Sequence, residues 1–431
     1  MRTSAAVLTG AIAAGVSAEN YLGFNSGATL ADRSAKFKDD FLAEFRTAQN
    51  LQGAPGDFNA VRLYTNIQAY SQTDPIQAFE AAIETNTKIL LGIWASGTDS
   101  IDKELTALRT AIKNYGSDFT DLVIGMSVGS EDLYRDSETG VKNDAGIGAG
   151  PEVIVKFIND YKKAVQGTPL ANVPIGHVDT WDVWGNSSNK IVVDAVDWVG
   201  VDEYPYYEND KGNKIENAGV LFDRAFEATL AAAGGKPVWV TETGWPYVGP
   251  KWDEAVASVE NAKFYWDEIG CRQLFNKVPT FWYNLRDSNP DNEMKFAITR
   301  DLNTKPLFNL TCPTTFETPE LEASTSTTVS LPSSTSGSSS GSSSSSAVPT
   351  SGSGSGSDSG SDSGSDSGSG SGSGSTPGSG DSASETTGNN VTPTGDADNV
   401  QNTPPSAASG LMLSTITYAG LALVAGAFAL C

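Results

Sequence analysis

The chain has few of the residues that most metal sites and nucleophilic triads need. Its 431 residues include one histidine and three cysteines. A metal site with several histidine ligands is therefore excluded, and we expect neither a metal nor another cofactor. A Ser-His-Asp triad would depend on His177, which lies at a predicted strand end and which we expect to be a hydrogen-bonding or structural group.

The chain also has little positive charge. It contains 28 Lys and Arg residues against 52 Asp and Glu residues, which gives a formal net charge of -24 at pH 7. A polyanion would be repelled over the whole surface, so we exclude nucleic acid as a partner. A neutral polysaccharide would not be repelled in this way.

The beginning of the chain predicts export. Residues 1–18 carry one early charge, Arg2, followed by an apolar run that ends in Val16-Ser17-Ala18. This pattern is typical of a cleavable secretory signal peptide, and it places the start of the mature protein at Glu19.

The end of the chain predicts a lipid anchor. Residues 411–431 form an apolar tail, and no Lys or Arg follows Lys305 to flank a permanent membrane span. Small residues, a polar spacer and a hydrophobic end are typical of a glycosylphosphatidylinositol (GPI) signal, whose tail is removed on attachment. We therefore expect an extracellular protein at the cell membrane and cell wall, with attachment candidates that include Gly395, Asn399 and Ser406.

A long polar segment precedes this tail. Residues 313–410 are rich in Ser, Thr, Gly and Pro, and residues 351–375 contain only Ser, Gly and Asp. Such a segment cannot bury enough apolar surface to fold, so we expect a disordered stalk that includes the GPI attachment region.

Export also gives the cysteines a role. Cys431 would leave with the tail, so Cys271 and Cys312 remain as an even pair in an oxidising compartment. We expect a disulfide worth roughly 3 to 4 kcal/mol in the chain-entropy model, with two buried free thiols as the alternative. Secretion also makes three sequons possible glycan sites: Asn186, Asn309 and Asn390.

Residues 19–312 alternate between strand and helix patterns. Eight apolar strand patterns begin at residues 21, 61, 88, 122, 173, 196, 236 and 279. Amphipathic stretches separate most of them, for example Pro75–Glu84 behind a capping Asp74 and Pro151–Val165 with proline at the first helical position. This alternation predicts an α/β fold, a (β/α)8 TIM barrel with its catalytic site at the carboxyl ends of the strands. We expect a monomer.

Two glutamates stand in matching places on two of these strand patterns. Glu131 follows the apolar run in VIGMSVGSE, and Glu242 ends the run in KPVWVTE. Carboxylates at the carboxyl ends of buried parallel strands point into the site of a barrel. One protonated and one ionised carboxylate that face one pocket are the minimum for cleaving a glycosidic bond.

Aromatic and polar residues fall at or just after the same strand ends. Aromatic rings stack on sugar rings, and polar groups bond to sugar hydroxyls, so we predict a sugar-binding cleft. For each ring alone, core packing is an equally good interpretation, but a lined cleft accounts better for the set. The rings belong to Tyr64, Trp94, Tyr134, Trp181, Tyr204, Trp245 and Tyr283, and the polar groups to Asn25, Asn66 and Asp179.

Three other acidic residues lie next to these strand ends. Asp202 and Glu203 form the strongest alternative carboxylate pair, and substrate contact, orientation of the catalytic pair and ion pairing inside the barrel all stay open for them. We expect Asp132 to be solvated or paired with Arg135 rather than catalytic.

The ordered motifs resemble one known family. YLGFNSG, VRLYT, SVGSEDLYR, GHVDTW, DEYPYY, WVTETGWP and FWYNLRD are similar to glycoside hydrolase family 17, the retaining β-1,3-glucanases, and to its GPI-anchored fungal cell-wall endoglucanases. The resemblance implies the (β/α)8 fold, Glu131 as general acid/base and Glu242 as nucleophile. Ser130 stands where the family pattern has asparagine, a place that the resemblance assigns to sugar binding.

The resemblance implies retaining endo-hydrolysis of β-1,3-glucan through a covalent glycosyl-enzyme intermediate, in remodelling of a cell wall. Two alternatives stay open. One is a β-1,3-glucan transglucosylase that uses the same two glutamates, and the other is a non-catalytic wall protein that only binds glucan. The presence of both Glu131 and Glu242 argues against the second alternative.

Overall fold

The computed structural model describes residues 20–316. The predicted signal peptide, the stalk beyond residue 316, the apolar tail and Asn390 lie outside the described residues. None of the helices between residues 20 and 316 has the length and apolarity that crossing a membrane requires.

Eight parallel strands form a closed barrel, which confirms the predicted fold. The strands are β1 (Leu22–Ser26), β2 (Ala60–Leu63), β3 (Lys88–Ile93), β4 (Val123–Ser130), β5 (Ile175–Thr180), β6 (Trp198–Asp202), β7 (Val238–Glu242) and β8 (Thr280–Trp282). Each strand pairs with the next in chain order, and β1 pairs with β8 to close the barrel. All eight overlap the strand patterns predicted from the sequence.

Helices follow most of the strands. The α-helices are α1 (Lys38–Gln49), α2 (Ala78–Thr85), α3 (Asp102–Tyr115), α4 (Ser117–Thr120), α5 (Asp132–Asp136), α6 (Glu138–Lys142), α7 (Pro151–Ala164), α8 (Trp181–Trp184), α9 (Lys190–Ala195), α10 (Ala218–Ala233) and α11 (Val259–Tyr265). A π-helical stretch, Trp266–Leu274, continues α11. Short 3-10 helices span Pro169–Asn172, Ser187–Asn189, Pro205–Tyr207 and Ile215–Asn217.

Two predicted helix starts have different outcomes. α7 begins at Pro151 as predicted, because proline fits the first helical position, where no amide hydrogen bond is required. α2 begins at Ala78 with Gln77 as its cap, so the prediction that Asp74 caps it is wrong. Asp74 instead accepts a hydrogen bond of 2.7 Å from Ser71 Oγ within the preceding loop.

Alternating residues along the strands build two apolar cores. One set packs in a large cluster with residues of the helices, and the other set forms a separate cluster inside the barrel. In the inner cluster, the rings of Trp198 and Trp239 stack with centroids 4.4 Å apart. Trp198, Trp239 and Phe281 lie within the first two residues of their strands, so they fill the amino-terminal end of the barrel. The carboxyl ends are left to polar residues.

A disulfide ties the last described segment to the barrel wall. Cys271 lies in the π-helical stretch and is bonded to Cys312, with the two Cα atoms 5.5 Å apart. Nearby, Trp266 Nε1 donates a hydrogen bond of 3.0 Å to Leu310 O. The structure therefore contains the pairing that the sequence predicts.

Candidate active site

Glu131 and Glu242 both lie at the carboxyl ends of their strands. Glu242 is the last residue of β7, and Glu131 follows β4 directly as the cap of α5. Their exposed fractions are 4% and 2%, so both carboxyl groups are buried. Glu131 has a left-handed backbone with φ 56°, and its N–H donates a hydrogen bond of 2.9 Å to Val178 O on β5. The turn between β4 and α5 thus fixes the backbone of Glu131, from which its side chain extends.

Three donors hold the carboxylate of Glu242. Arg62 Nη1 and the hydroxyl of Tyr64 each donate to Oε1 over 2.6 Å, and the hydroxyl of Tyr204 donates to Oε2 over 2.7 Å. Burial raises the pKa of Tyr204 well above its usual range, with a further contribution from Glu242, so this hydroxyl keeps its proton. Charge-assisted bonds of this kind stabilise the anion and fix its orientation.

Arg62 connects Glu242 to two other residues of the site, and it was not among the residues predicted from the sequence. Its guanidinium donates to Asn25 Oδ1 over 3.0 Å and to Ser130 Oγ over 2.9 Å, in addition to Glu242. Only 1% of its side chain is exposed, and the negative groups around it outweigh burial and raise its pKa. The available signal was a single arginine inside the otherwise apolar strand pattern VRLYT.

The carboxyl group of Glu131 has a different environment. Burial, with the negative charges of Glu242 and Asp179, raises its pKa to about 7 against the opposing positive charges of Arg135 and Arg62. Arg135 Nη2 donates to Glu131 Oε2 over 2.9 Å from the next turn of α5. One carboxyl group of the pair therefore holds its proton up to about neutral pH, unlike an ordinary glutamate.

Ser130 lies between the two glutamates in the hydrogen-bond network. Its Oγ accepts from Arg62 over 2.9 Å, and its N–H donates to Asp132 Oδ2 over 2.8 Å. Because its oxygen is the acceptor in the contact with Arg62, the hydroxyl proton of Ser130 is available to a sugar. The predicted role in sugar binding stays a prediction.

Asp179 requires a correction, because it does not line the cleft. It is fully buried and accepts hydrogen bonds from the N–H groups of Leu133, Tyr134 and Thr180 over 2.9, 3.1 and 2.9 Å. Two of these N–H groups belong to the first turn of α5, where a carboxylate stabilises the helix start. Asp179 therefore positions the helix behind Glu131 instead of binding sugar.

Asn25 also requires correction as a sugar ligand. The amide of Asn25 donates to Thr241 O and Phe281 O over 3.1 and 3.0 Å, and its oxygen accepts from Arg62. Asn66 is fully buried, and its N–H donates to Glu104 Oε2 over 2.7 Å. The side chain of Asn25 is therefore bonded within the barrel end, whereas the sugar-binding role of Asn66 stays a prediction.

His177 has the structural role that we expected. It is fully buried, with Nδ1 2.6 Å from Val128 O and Nε2 3.0 Å from Asp179 Oδ2. Because a carbonyl oxygen only accepts, Nδ1 carries a proton. Burial lowers the pKa of His177, but the hydrogen bond and charge of Asp179 outweigh burial and raise it overall.

The aromatic residues divide between core and site. Tyr64 and Tyr204 contact the carboxylate of Glu242, whereas Trp94 and Trp181 are half-buried at the ends of β3 and β5. Tyr283 is buried and packs edge-on against Tyr204, with ring centroids 6.0 Å apart. These residues remain candidates for the wall of the cleft.

Trp245 and Tyr134 are corrected to core residues. Trp245 is 2% exposed, donates from Nε1 to Val256 O over 3.0 Å, and packs against Tyr206 with centroids 5.1 Å apart. Tyr134 is also 2% exposed, and its hydroxyl accepts from Asn143 Nδ2 over 3.0 Å. Core packing, the alternative for any single ring, applies to both.

The three other acidic residues are all buried. Asp202 Oδ1 accepts from Thr241 Oγ1 over 2.6 Å, and burial raises the pKa of Asp202 well above its usual range, as it does for Glu203. Asp132 is not solvated, because it is fully buried and its Oδ1 accepts a hydrogen bond of 2.6 Å from Ser96 Oγ. Burial raises its pKa, and the positive charge of Arg135 opposes this shift. That Asp132 is not catalytic stays a prediction.

The acidic residues at the site do not form a metal centre. Across residues 20–316, no group of three or more His, Cys, Asp or Glu side chains has an arrangement that could hold a metal ion.

The chain is similar to proteins of one glycosidase family. Residues 24–298 match the family model of the BtgE/BtgC glycoside hydrolase domain. A protein of Aspergillus niger named "Probable glucan endo-1,3-beta-glucosidase eglC" is 51% identical over 294 residues, which are 68% of this chain and 63% of that protein. A Schizosaccharomyces pombe "Glucan 1,3-beta-glucosidase" is 29% identical over 277 residues, covering 62% of this chain and 78% of that protein.

A solved structure agrees with these sequence matches. The glycoside hydrolase family 17 beta-1,3-glucanosyltransferase of Rhizomucor miehei has a TM-score of 0.54 and 26% identity, over 67% of this chain and 96% of that one. The chain spans 63% and 60% of the length of two curated relatives that it matches, both named eglC. The match to residues 24–298 and the solved structure confirm the resemblance to glycoside hydrolase family 17, and the chain belongs to the BtgE/BtgC glycoside hydrolase family.

Proposed function

We propose that the chain cleaves β-1,3-glucosidic bonds with retention, with Glu242 as nucleophile and Glu131 as general acid/base. The observation that carries this proposal is that two buried carboxyl groups in one site have different surroundings. Glu242 receives three hydrogen bonds that stabilise an anion, whereas burial raises the pKa of Glu131 to about 7. Such a difference is how two glutamates acquire the roles of nucleophile and acid.

The reaction then has two balanced steps. In the first, a Glu242 oxygen bonds to the anomeric carbon, the glycosidic C–O bond breaks, and the proton of Glu131 moves to the leaving oxygen. In the second, Glu131 takes a proton from water, the water oxygen bonds to the anomeric carbon, and the bond to Glu242 breaks. Both glutamates return to their starting states.

The proposed substrate is β-1,3-glucan. Support comes from the names of the relatives in Aspergillus niger and Schizosaccharomyces pombe and from the family to which the chain belongs. The test is to incubate the full chain with a reduced laminari-oligosaccharide and to size the products. Internal cleavage in the wild type, absent in a folded Glu242→Gln variant, is expected. A wild-type protein that binds the oligosaccharide without cleaving it would support the non-catalytic alternative instead.

Transglucosylation is the second candidate for the same site. The Rhizomucor miehei structure, which is named a glucanosyltransferase, favours it. Transfer would occur if a glucan hydroxyl, instead of water, gave its proton to Glu131 in the second step. Products longer than the starting oligosaccharide would identify this activity, whereas hydrolysis gives shorter products and new reducing ends.

We also propose that the protein is exported, held at the cell surface by a GPI anchor and active as a monomer in cell-wall remodelling. The support is the sequence of residues 1–18, 313–410 and 411–431. Deletion of residues 411–431 should release an active protein into the medium. Retention of the shortened protein at the cell surface would exclude the anchor.

Two of the predicted glycan sites have suitable geometry. Asn186 and Asn309 are exposed, and the side-chain oxygen of each accepts a hydrogen bond of 3.0 Å from the N–H two residues later, in Ser188 and Thr311. Peptide mass spectrometry before and after glycan removal would test whether both asparagines carry glycans.

A further inference from the structure

Arg135 is the cation in direct contact with Glu131. Glu131 caps the start of α5 and Arg135 lies four residues later in this short helix, and the Arg135 guanidinium reaches back to the Glu131 carboxyl group. Nη2 donates to Glu131 Oε2 over 2.9 Å, and only 2% of the arginine side chain is exposed. A charge pair buried to this degree is little screened by water, in contrast to an exposed ion pair.

Other contacts fix the position of this guanidinium. Nη1 donates to Ser96 Oγ over 3.0 Å and to Ser130 O, and the group lies 5.4 Å from the centre of the Trp94 ring. The loop after β3 and the end of β4 therefore hold Arg135 from two sides. An arginine held in this way keeps its place while the substrate reacts.

Titratable groups from four strands also face Glu131. Asp202 on β6 is one of them, and burial raises its pKa well above its usual range, with Glu242 and Glu131 raising it further, so its carboxyl group favours the neutral form. Glu242 on β7 and Asp179 on β5 add negative charge, and Arg62 on β2 adds a second positive charge. Only one of these charges changes during the proposed reaction. When a Glu242 oxygen bonds to the anomeric carbon, the anion becomes a neutral ester, while Asp179, Arg62 and Arg135 keep their charges.

We propose that Arg135 is the positioning residue that keeps the proton affinity of Glu131 low enough for Glu131 to act as a base once Glu242 has become a neutral ester. This inference rests on the proposed function. In the free enzyme, burial and the Glu242 anion together outweigh Arg135, so Glu131 holds its proton. In the glycosyl-enzyme, the repulsion from Glu242 is gone and the attraction of Arg135 remains, so Glu131 becomes the carboxylate that accepts a proton from water.

The experiment compares wild type, Arg135→Gln and Arg135→Lys, with Arg109→Gln as a matched control because Arg109 is exposed on α3. The alkaline limb of kcat/KM for a laminari-oligosaccharide reports Glu131 in the free enzyme. The acid limb of reactivation, after trapping with a 2-deoxy-2-fluoro laminaribiosyl fluoride, reports Glu131 in the glycosyl-enzyme. Circular dichroism verifies that each variant is folded.

We expect the acid limb of the trapped wild-type enzyme to lie at least about one pH unit below the alkaline limb of the free enzyme. Arg135→Gln should move both limbs upward by about one pH unit, which slows reactivation below the limb by roughly tenfold. Arg135→Lys should give a smaller upward shift, since the shorter side chain places its charge farther from Glu131. Arg109→Gln should leave both limbs unchanged.

Two results would overturn the role of Arg135. One is coincident limbs in the free and trapped wild-type enzyme, and the other is a folded Arg135→Gln variant that loses activity equally at every pH. If Arg135→Gln does not fold, limbs at their wild-type positions in Arg135→Lys would also overturn it. Failure of the proposed function is distinguishable, because then the wild-type enzyme itself does not cleave the laminari-oligosaccharide.

Discussion

Glu131 and Glu242 are the same residue type at the ends of two strands of one barrel, but they are held in different ways. Glu242 belongs to a strand and is held by side chains from β2 and from the segment after β6. Glu131 lies at the turn into a five-residue helix and is held by an arginine of that same helix. One glutamate is fixed by the barrel, and the other by a local turn.

The difference shows that position alone does not assign a catalytic role. Three donors surround the Glu242 carboxylate, so the anion is stable there and oriented for attack. At Glu131, burial outweighs one direct cation and raises the pKa to about 7. The surroundings therefore divide two identical side chains into a nucleophile and an acid, and changes to these surroundings test the division.

Loss of the Glu242 carboxylate should have the largest effect on the reaction rate. We expect Glu242→Ala to lower kcat on β-1,3-glucan by roughly 10,000-fold or more, because no nucleophile remains. Azide can enter the vacated space, so added azide should restore turnover and give an α-glycosyl azide. The product is identified by nuclear magnetic resonance. A folded variant that azide does not rescue would contradict the assignment of Glu242.

The effect of losing the Glu131 carboxyl group should depend on the leaving group of the substrate. We expect Glu131→Ala to lower kcat on natural glucan by about 100- to 10,000-fold. A dinitrophenyl glycoside needs no acid for departure, so it should still glycosylate the enzyme quickly, giving a burst of dinitrophenol followed by slow turnover. Stopped-flow absorbance measures the burst. If the activated substrate loses as much glycosylation rate as the natural glucan does, Glu131 is not the acid.

Removal of one donor to Glu242 should have a smaller effect. Tyr204→Phe deletes the hydroxyl that donates to Oε2, and we expect kcat to fall by about 10- to 100-fold with little change in KM. Tyr206→Phe is the matched control, because the Tyr206 hydroxyl donates to Pro250 O and does not contact Glu242. Equal losses in the two variants would mean that the effect is one of packing.

The sequence was sufficient for the barrel and the two glutamates because both depend on local patterns. Eight apolar runs predict eight strands. A glutamate at the end of such a run is then expected at the carboxyl end of the barrel, where the active site lies. The contacts of Asp179, Asn25 and Trp245 could not be predicted in this way. Each is decided by residues far away in the chain, such as Thr241 and Phe281 for the amide of Asn25.

Arg62 and Arg135 illustrate the same limit. Their sequence contexts show a charge within a strand pattern and a charge in a helical turn. Only the closed barrel shows that Arg62 on β2 reaches Glu242 on β7, since these strands are distant in sequence. For Arg135, the helical spacing of four residues allowed a contact with Glu131, but the expectation paired Arg135 with Asp132 instead.

The buried carboxyl groups should also make stability depend on pH. Burial raises the pKa values of Glu131 and Glu104 from 4.5 to about 7 in the folded protein. Between these values the folded state binds more protons than the unfolded state, so the free energy of unfolding should fall as pH rises. Glu104→Gln should make this decline shallower, and the exposed Glu227→Gln should not. Urea unfolding at several pH values in this range measures the free energy of unfolding. If it declines as steeply in Glu104→Gln as in the wild type, the prediction is contradicted.

Ser130→Asn should have the smallest effect, and it tests the residue that links the two glutamates. The hydroxyl of Ser130 accepts from Arg62, which also donates to Glu242, and its backbone lies next to Glu131. Asparagine restores the family residue, and its longer amide reaches farther towards a bound sugar. If Ser130 already forms a hydrogen bond with the sugar, the larger asparagine side chain should crowd the site and lower kcat/KM by roughly tenfold. If the site lacks that contact, kcat should rise instead, since such a bond strengthens in the transition state. Steady-state kinetics together with the ratio of transfer to hydrolysis would measure both, and no change in any of these quantities would remove Ser130 from the sugar site.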